Sequence, residues 1–314
     1  MMDNKVHKSN RWKLIAIILF IYIALSFLLK KVGENISKNP VVSDDYISKV
    51  ETGGDIEKMY LTMGPYDTAY AESATMSSLK KFEIFYPSAI DSMEKVPVVI
   101  FLNGTGTPAS KYQALQKHMA SWGFITIGNE EDNSFYGEAA ELSIRYLELA
   151  NSYDDEKTSN PLKGHIDFDN IGITGHSQGG VGVINGITLH PHSDMIKAAV
   201  ILSSTVSDAA KALLWDPDPS KIHADTLMIV SAGDALAPVE NMKTQFDMIN
   251  GQDKVMAVRN DTDHGGNLYH SDGYVTAWFM YYLKNDQRAL NAFYGDSEIS
   301  NNRLYENVQI EQAK

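Results

Sequence analysis

The chain has 314 residues, 44% of them hydrophobic, with no cysteine and a formal charge of −13. That length and apolar content suffice for a full hydrophobic core, while the missing cysteines exclude disulfides, thiolate metal sites and a cysteine nucleophile. Six Lys/Arg against one Asp in the first 31 residues leave the remaining 283 near −18, a balance that argues against nucleic acid as a partner.

Lys5, Lys8, Arg11 and Lys13 precede Leu14–Leu29, an apolar run of 16 residues broken only by Tyr22 and Ser26 and closed by Lys30 and Lys31. A basic leader before an apolar stretch close to the ~20 residues that span a bilayer reads as a signal anchor, a transmembrane helix over 14–29. The positive side stays in the cytoplasm, which places a single-pass protein at the cell membrane with its body outside. The alternative is secretion after cleavage near Ala24-Leu25-Ser26. Residues 1–31 are then leader and anchor, 32–45 a polar tether, 46–295 the folded domain and 296–314 a polar tail expected to fray.

Residues 60–74 read as an irregular lead-in. Phe82, Ile84 and Tyr86 alternate with Lys81 and Glu83, a period-2 signal for a strand over 81–86. Strands then follow at 96–102, 124–128, 171–174, 197–202, 226–231 and 254–258, with helices at 110–121, 137–151, 180–189, 239–249 and 273–284. Such alternation predicts an α/β fold, a doubly wound, mostly parallel sheet with helices on both faces. Residues 205–223, containing Trp215-Asp216-Pro217-Asp218-Pro219, are the longest irregular insert and a candidate lid.

Residues 171–180 read Ile-Gly-Ile-Thr-Gly-His-Ser-Gln-Gly-Gly. The spacing G-x-S-x-G after a short apolar strand is that of a nucleophile elbow, a tight strand-to-helix turn that lifts Ser177 clear of the sheet. A serine that merely caps a helix is the competing reading. A serine hydroxyl needs a base to take its proton and an acid to orient that base. On this fold they follow in the chain order Ser, Asp or Glu, His. Asp234 follows the strand 226–231, and His264 follows the strand 254–258. Of the other histidines, only His270 also comes late enough. Asp208, Asp225 and Asp253 lie outside the right loops, and Asp261 and Asp263 read as loop-capping acids.

The most hydrophobic strand of the body, Val96–Leu102, runs into Asn103-Gly104-Thr105-Gly106-Thr107-Pro108. A glycine-rich loop there lets backbone N–H groups approach a substrate oxygen, so the amides of Thr105 and Gln178 are candidate oxyanion donors. Gly104 and His176 are candidate substrate contacts. Gly104-x-Gly106 lacks the third glycine of a dinucleotide fingerprint, and no HExxH occurs. Neither a metal nor a cofactor is expected.

With Leu102-Asn103-Gly104-Thr105, the stretch 119–126, residues 166–180, Leu227–Val239, Asp263-His264-Gly265 and the stretch 276–283, the chain resembles the α/β-hydrolase superfamily from about residue 80 to 286. Within it, the chain is similar to cutinase-like polyester hydrolases, dienelactone-hydrolase-like enzymes and plant chlorophyllases. The resemblance implies a serine hydrolase that cleaves carboxylic esters with Ser177, Asp234 and His264, on a small-molecule or lipid-like ester. It departs from the polyesterases at Thr105, where they carry an aromatic residue, and at Gln178, where they carry methionine. Leu202-Ser203-Ser204-Thr205-Val206 also lacks their tryptophan. Those departures point away from a flat aromatic clamp and toward a more polar acyl or alcohol group. An acyltransferase on the same fold and a noncatalytic surface-binding protein are the alternatives.

Overall fold

A computed structural model describes residues 40–75, 77–153, 160–205 and 217–313. The expected anchor at 14–29, most of the tether and the central part of the 205–223 insert lie outside the described residues. Among the described residues, no helix is long and apolar enough to cross a membrane.

From Val42 on, the chain forms one compact unit. Val42 and Tyr46 are already buried in it, so the domain begins inside the segment expected to be tether. Among the described residues, the strands are β1 (Thr68–Ala74), β2 (Lys81–Pro87), β3 (Val96–Leu102), β4 (Ile125–Asn129), β5 (Ile166–His176), β6 (Ile196–Leu202), β7 (Asp225–Ser231), β8 (Lys254–Arg259) and β9 (Tyr305–Glu311). They make one sheet in the order β1-β2-β4-β3-β5-β6-β7-β8-β9. The pairings from β4 through β8 are parallel, while β1, β2 and β9 attach antiparallel. The mostly parallel sheet read from the sequence is therefore present, with an antiparallel margin on each side.

The central strands are apolar on both faces because both are covered. One face carries Ile100, Ile173 and Val230 against α3 (Glu138–Ser152), α4 (Gln178–Thr188) and α5 (Val239–Met248). The other carries Val99, Val200 and Ile229 against α2 (Gln113–Ser121) and α6 (Asp272–Lys284), the latter through Trp278 and Phe279.

Three sequence expectations need correction. Residues 60–74 are not irregular. They hold the end of α1 (Asp55–Leu61) and all of β1, whose seven residues pair with β2 from Thr68↔Pro87 to Ala74↔Lys81. The tail beyond residue 296 is not frayed either. It forms a short helix, Glu298–Asn301, and β9, which pairs with β8 at the sheet edge. The strand before the elbow runs 166–176 rather than 171–174, because the turn-like Asp167–Asn170 is absorbed as an irregularity opposite Pro97/Val98.

Behind the edge formed by β8 and β9 lies a buried polar network. Arg259 Nη1 donates to Glu57 Oε1 at 2.7 Å and to the Tyr305 hydroxyl at 2.6 Å. Glu57 Oε2 accepts from Asn302 Nδ2 and from the Gly53 amide, both at 2.8 Å. Glu298 accepts from the amides of Ile56 and Glu57 and so caps α1. The network ties residues 51–57 and 298–305 to the last residue of β8.

Candidate active site

β5 ends at His176, α4 begins at Gln178, and Ser177 alone makes the turn between them, at φ 59° and ψ −122°. A non-glycine residue with positive φ is strained and persists only where its surroundings hold it. Here the Ser177 amide donates to the Leu202 carbonyl at 2.9 Å. The flanking residues must be glycine for reasons of space. A Cβ on Gly175 would lie 2.3 Å from the Gly179 carbonyl oxygen, and one on Gly179 would lie 2.2 Å from that of Leu102. The turn projects Ser177 from the carboxyl edge of the sheet, where open α/β sheets bind ligands.

Three of the residues singled out in the sequence meet there. His264 Nε2 lies 2.9 Å from Ser177 Oγ. His264 Nδ1 lies 2.8 Å from Asp234 Oδ2 and 3.0 Å from Oδ1. A carboxylate accepts, so Nδ1 carries the hydrogen and Nε2 turns its lone pair toward the serine hydroxyl. Asp234 is buried on the loop after β7, and its Oδ1 also accepts from the amides of Leu236 and Ala237 at 2.9 and 2.8 Å. Burial alone would raise its carboxyl. Hydrogen bonds from the Ser203 hydroxyl, the Ala237 amide and His264 outweigh that burial and hold it below the usual carboxylate range. His270 does not take the place of His264 beside the serine. Asp263 caps the loop as expected, with its Oδ1 accepting from the Gly266 amide at 2.7 Å.

Gln178 is the first residue of α4, so its N–H points outward at the helix N-terminus beside Ser177. Thr105 is exposed on the loop after β3, and Gly104 brings that loop over the nucleophile. A Cβ on Gly104 would lie 3.0 Å from the His176 carbonyl oxygen and 3.4 Å from Ser177 Cβ. Among the described residues, neither the Thr105 nor the Gln178 N–H donates to a backbone carbonyl. The loop is held from below by Asn103, whose Nδ2 donates to the carbonyls of Asn129 at 2.9 Å and Glu131 at 3.0 Å, and whose Oδ1 accepts from the Tyr112 hydroxyl.

His176, expected to contact the substrate, lines a cavity with Gly104 and Thr107. It is buried, with Nε2 2.6 Å from the main-chain carbonyl of His264. Sequence reasoning also missed the supports. Asn267 Nδ2 donates to Ser203 Oγ at 2.8 Å and to the Ile229 carbonyl at 2.9 Å, and Ser231 Oγ donates to the Asp263 carbonyl at 2.8 Å. Isolated polar residues next to strand ends carry no signal that separates such braces from ordinary loop residues.

Among the described residues, no group of three or more His, Asp or Glu side chains is placed to hold a metal ion. The arrangement brings together a serine hydroxyl, an imidazole hydrogen-bonded to it, a carboxylate behind the imidazole, and two amides without a backbone acceptor among the described residues. Such a set can add an alkoxide to a carbonyl and hold the resulting oxyanion.

Comparison with known proteins agrees with that chemistry. The family model described as PET hydrolase-like matches residues 48–309. A bis(hydroxyethyl) terephthalate hydrolase of Streptomyces coelicolor is 24% identical over 234 residues, which cover 72% of this chain and 70% of that protein. The superfamily resemblance read from the sequence is thereby borne out.

Proposed function

The chain belongs to the PET hydrolase-like family and is an ester-hydrolysing enzyme, and from that premise we propose a Ser177–His264–Asp234 relay working through an acyl-enzyme. Membership removes the reading as a noncatalytic binding protein. The observation that supports the relay most is the unbroken hydrogen-bond line from Ser177 Oγ through His264 to Asp234, at 2.9 and 2.8 Å.

In this reading His264 Nε2 takes the Ser177 proton as Oγ attacks the ester carbonyl. The tetrahedral oxyanion is held by the amides of Gln178 and Thr105. Asp234, kept ionised by its hydrogen bonds, stabilises the imidazolium. His264 then protonates the departing alcohol. Water, deprotonated by the same nitrogen, attacks the acyl-enzyme, and collapse of the second tetrahedral intermediate returns the proton to Ser177 and releases the acid.

For the substrate we infer a small ester with a polar alcohol part, of which the hydroxyethyl esters named for the Streptomyces relative are one example. The polar side chain of Gln178 beside Ser177 supports this reading. The apolar run at 14–29 supports a membrane-anchored body outside the cell.

The test is hydrolysis of p-nitrophenyl esters from acetyl to long-chain, and of bis(hydroxyethyl) terephthalate, with and without ethanol as a competing acceptor. Turnover of short esters and of the hydroxyethyl ester, with free acid as the product, is expected. Ethyl esters as the main product would replace hydrolysis by acyl transfer.

A further inference from the structure

A second connection links nucleophile and base, and the relay above does not use it. His176 precedes Ser177 in the elbow, yet its ring turns inward against the loop that carries His264. Its Nε2 lies 2.6 Å from the His264 carbonyl oxygen, and the two imidazole centroids are 4.7 Å apart. A carbonyl only accepts, so Nε2 bears the hydrogen and donates. We propose that His176 is a positioning residue: by clamping the main chain of His264 to the peptide beside Ser177, it fixes the distance between base and nucleophile. This inference rests on the roles given to Ser177 and His264 above.

The geometry closes a small ring. His264 reaches Ser177 through its side chain at 2.9 Å and returns through its own carbonyl to the neighbour of Ser177. The clamp matters because His264 stands on a loop outside the sheet ladder, between Asp261 at φ 56° and the glycines at 265 and 266. Ser231 holds the carbonyl of residue 263, and Asn267 is tied to β7 through the Ile229 carbonyl. Those bonds secure the flanks, whereas His176 grips His264 itself. A shift of about 1 Å in a reacting group costs up to ~100-fold in rate.

The ring is suited to the task because it stays neutral. Burial first, then the charge His264 carries when protonated, push His176 down to about 4, against the opposing pull of its hydrogen bond to the His264 carbonyl and of Asp234 and Asp263. Asp272 and Tyr112 line the same cavity beside it. A neutral donor keeps one tautomer while His264 gains and loses its proton. A cation at that distance would oppose the imidazolium. The apolar lining contributed by Phe101, Leu202 and Leu268 offers a ring of similar size a compatible place.

The experiment compares kcat and KM on p-nitrophenyl acetate for the full chain, His176→Phe, His176→Gln and Ser177→Ala, with Tm recorded for each. His176→Phe keeps a ring and loses the donor, whereas the glutamine Nε2 can reach the same carbonyl. The expected result is a fall in kcat of roughly 10- to 100-fold for the Phe variant, KM within about twofold, and recovery of most of the loss in the Gln variant. A Phe variant that keeps full kcat beside an inactive Ser177→Ala protein overturns the inference and leaves the nucleophile in place. So does a change confined to KM, or a loss that Gln fails to repair at equal Tm. An active Ser177→Ala protein overturns the reading on which the inference rests. Should the Phe protein not fold, His176→Leu, smaller and without a donor, takes its place.

Discussion

Ser177→Ala is expected to lower kcat on a p-nitrophenyl ester by about 10⁴-fold or more, because a serine hydrolase without its nucleophile retains only what its oxyanion hole and binding supply. Folding is expected to be untouched. The Ser177 hydroxyl contributes one partly buried hydrogen bond, to His264, while the turn itself is held by the Ser177 amide on Leu202 and by the Gly180 amide on the Ser177 carbonyl. Alanine makes both of those backbone bonds. Tm by differential scanning calorimetry should therefore stay within about 2 °C of the parent, since one net hydrogen bond is worth ~1 kcal/mol. A variant that loses activity together with its cooperative transition would place the effect in the fold rather than in the chemistry.

Glu57→Ala is the substitution expected to cost most stability. Glu57 and Arg259 are 0% and 2% exposed, and the carboxylate is the charge partner of the guanidinium at 2.7 Å. Removing it leaves Arg259 with neutral acceptors, the Tyr305 hydroxyl and the Glu51 carbonyl. Breaking a buried pair by removing one partner costs about 3–5 kcal/mol, because the remaining charge stays desolvated. For a domain of this size that is a fall in Tm on the order of 10 °C. Replacing both residues with apolar ones of similar volume should recover much of the loss. The effect bears on function because Arg259 ends β8, and its carbonyl accepts from the Ala232 amide at 2.9 Å. The loops that carry Asp234 and His264 thus leave from a pair of strands secured by this network. A Tm within about 2 °C of the parent for Glu57→Ala would contradict the role given to the pair.

The legible parts of the sequence were those where composition and position agree. Val96–Leu102 is an unbroken apolar run, and β3 has those bounds. The elbow could be read because its glycines answer to backbone contacts at 2.2–2.3 Å, a demand that only one residue type meets. Asp234 and His264 were singled out from chain order and from their places just beyond strand ends, and the structure brings them into one hydrogen-bonded line with Ser177. What escaped was held by partners far away in the chain. Thr68–Ala74 is rich in small and polar residues, and it is a strand because β2 supplies the whole ladder. Tyr305–Glu311 looks like a polar tail because an edge strand half open to solvent keeps few apolar side chains. Ser203, Asn267 and Asn103 brace the site through side-chain hydrogen bonds that leave no periodicity. The bond from the His176 ring to the His264 carbonyl was not legible, since the sequence does not show which way a side chain leaves the elbow.

Labelling with a serine-directed fluorophosphonate, followed by peptide mass spectrometry, tests the central claim most directly. One phosphonyl group per chain on Ser177 is expected, together with loss of ester hydrolysis in step with labelling. Labelling should be markedly slower in His264→Ala, whose serine lacks the base at 2.9 Å. Full hydrolytic activity with Ser177 unlabelled, or a label carried by another residue, would contradict the assignment of Ser177 as the nucleophile.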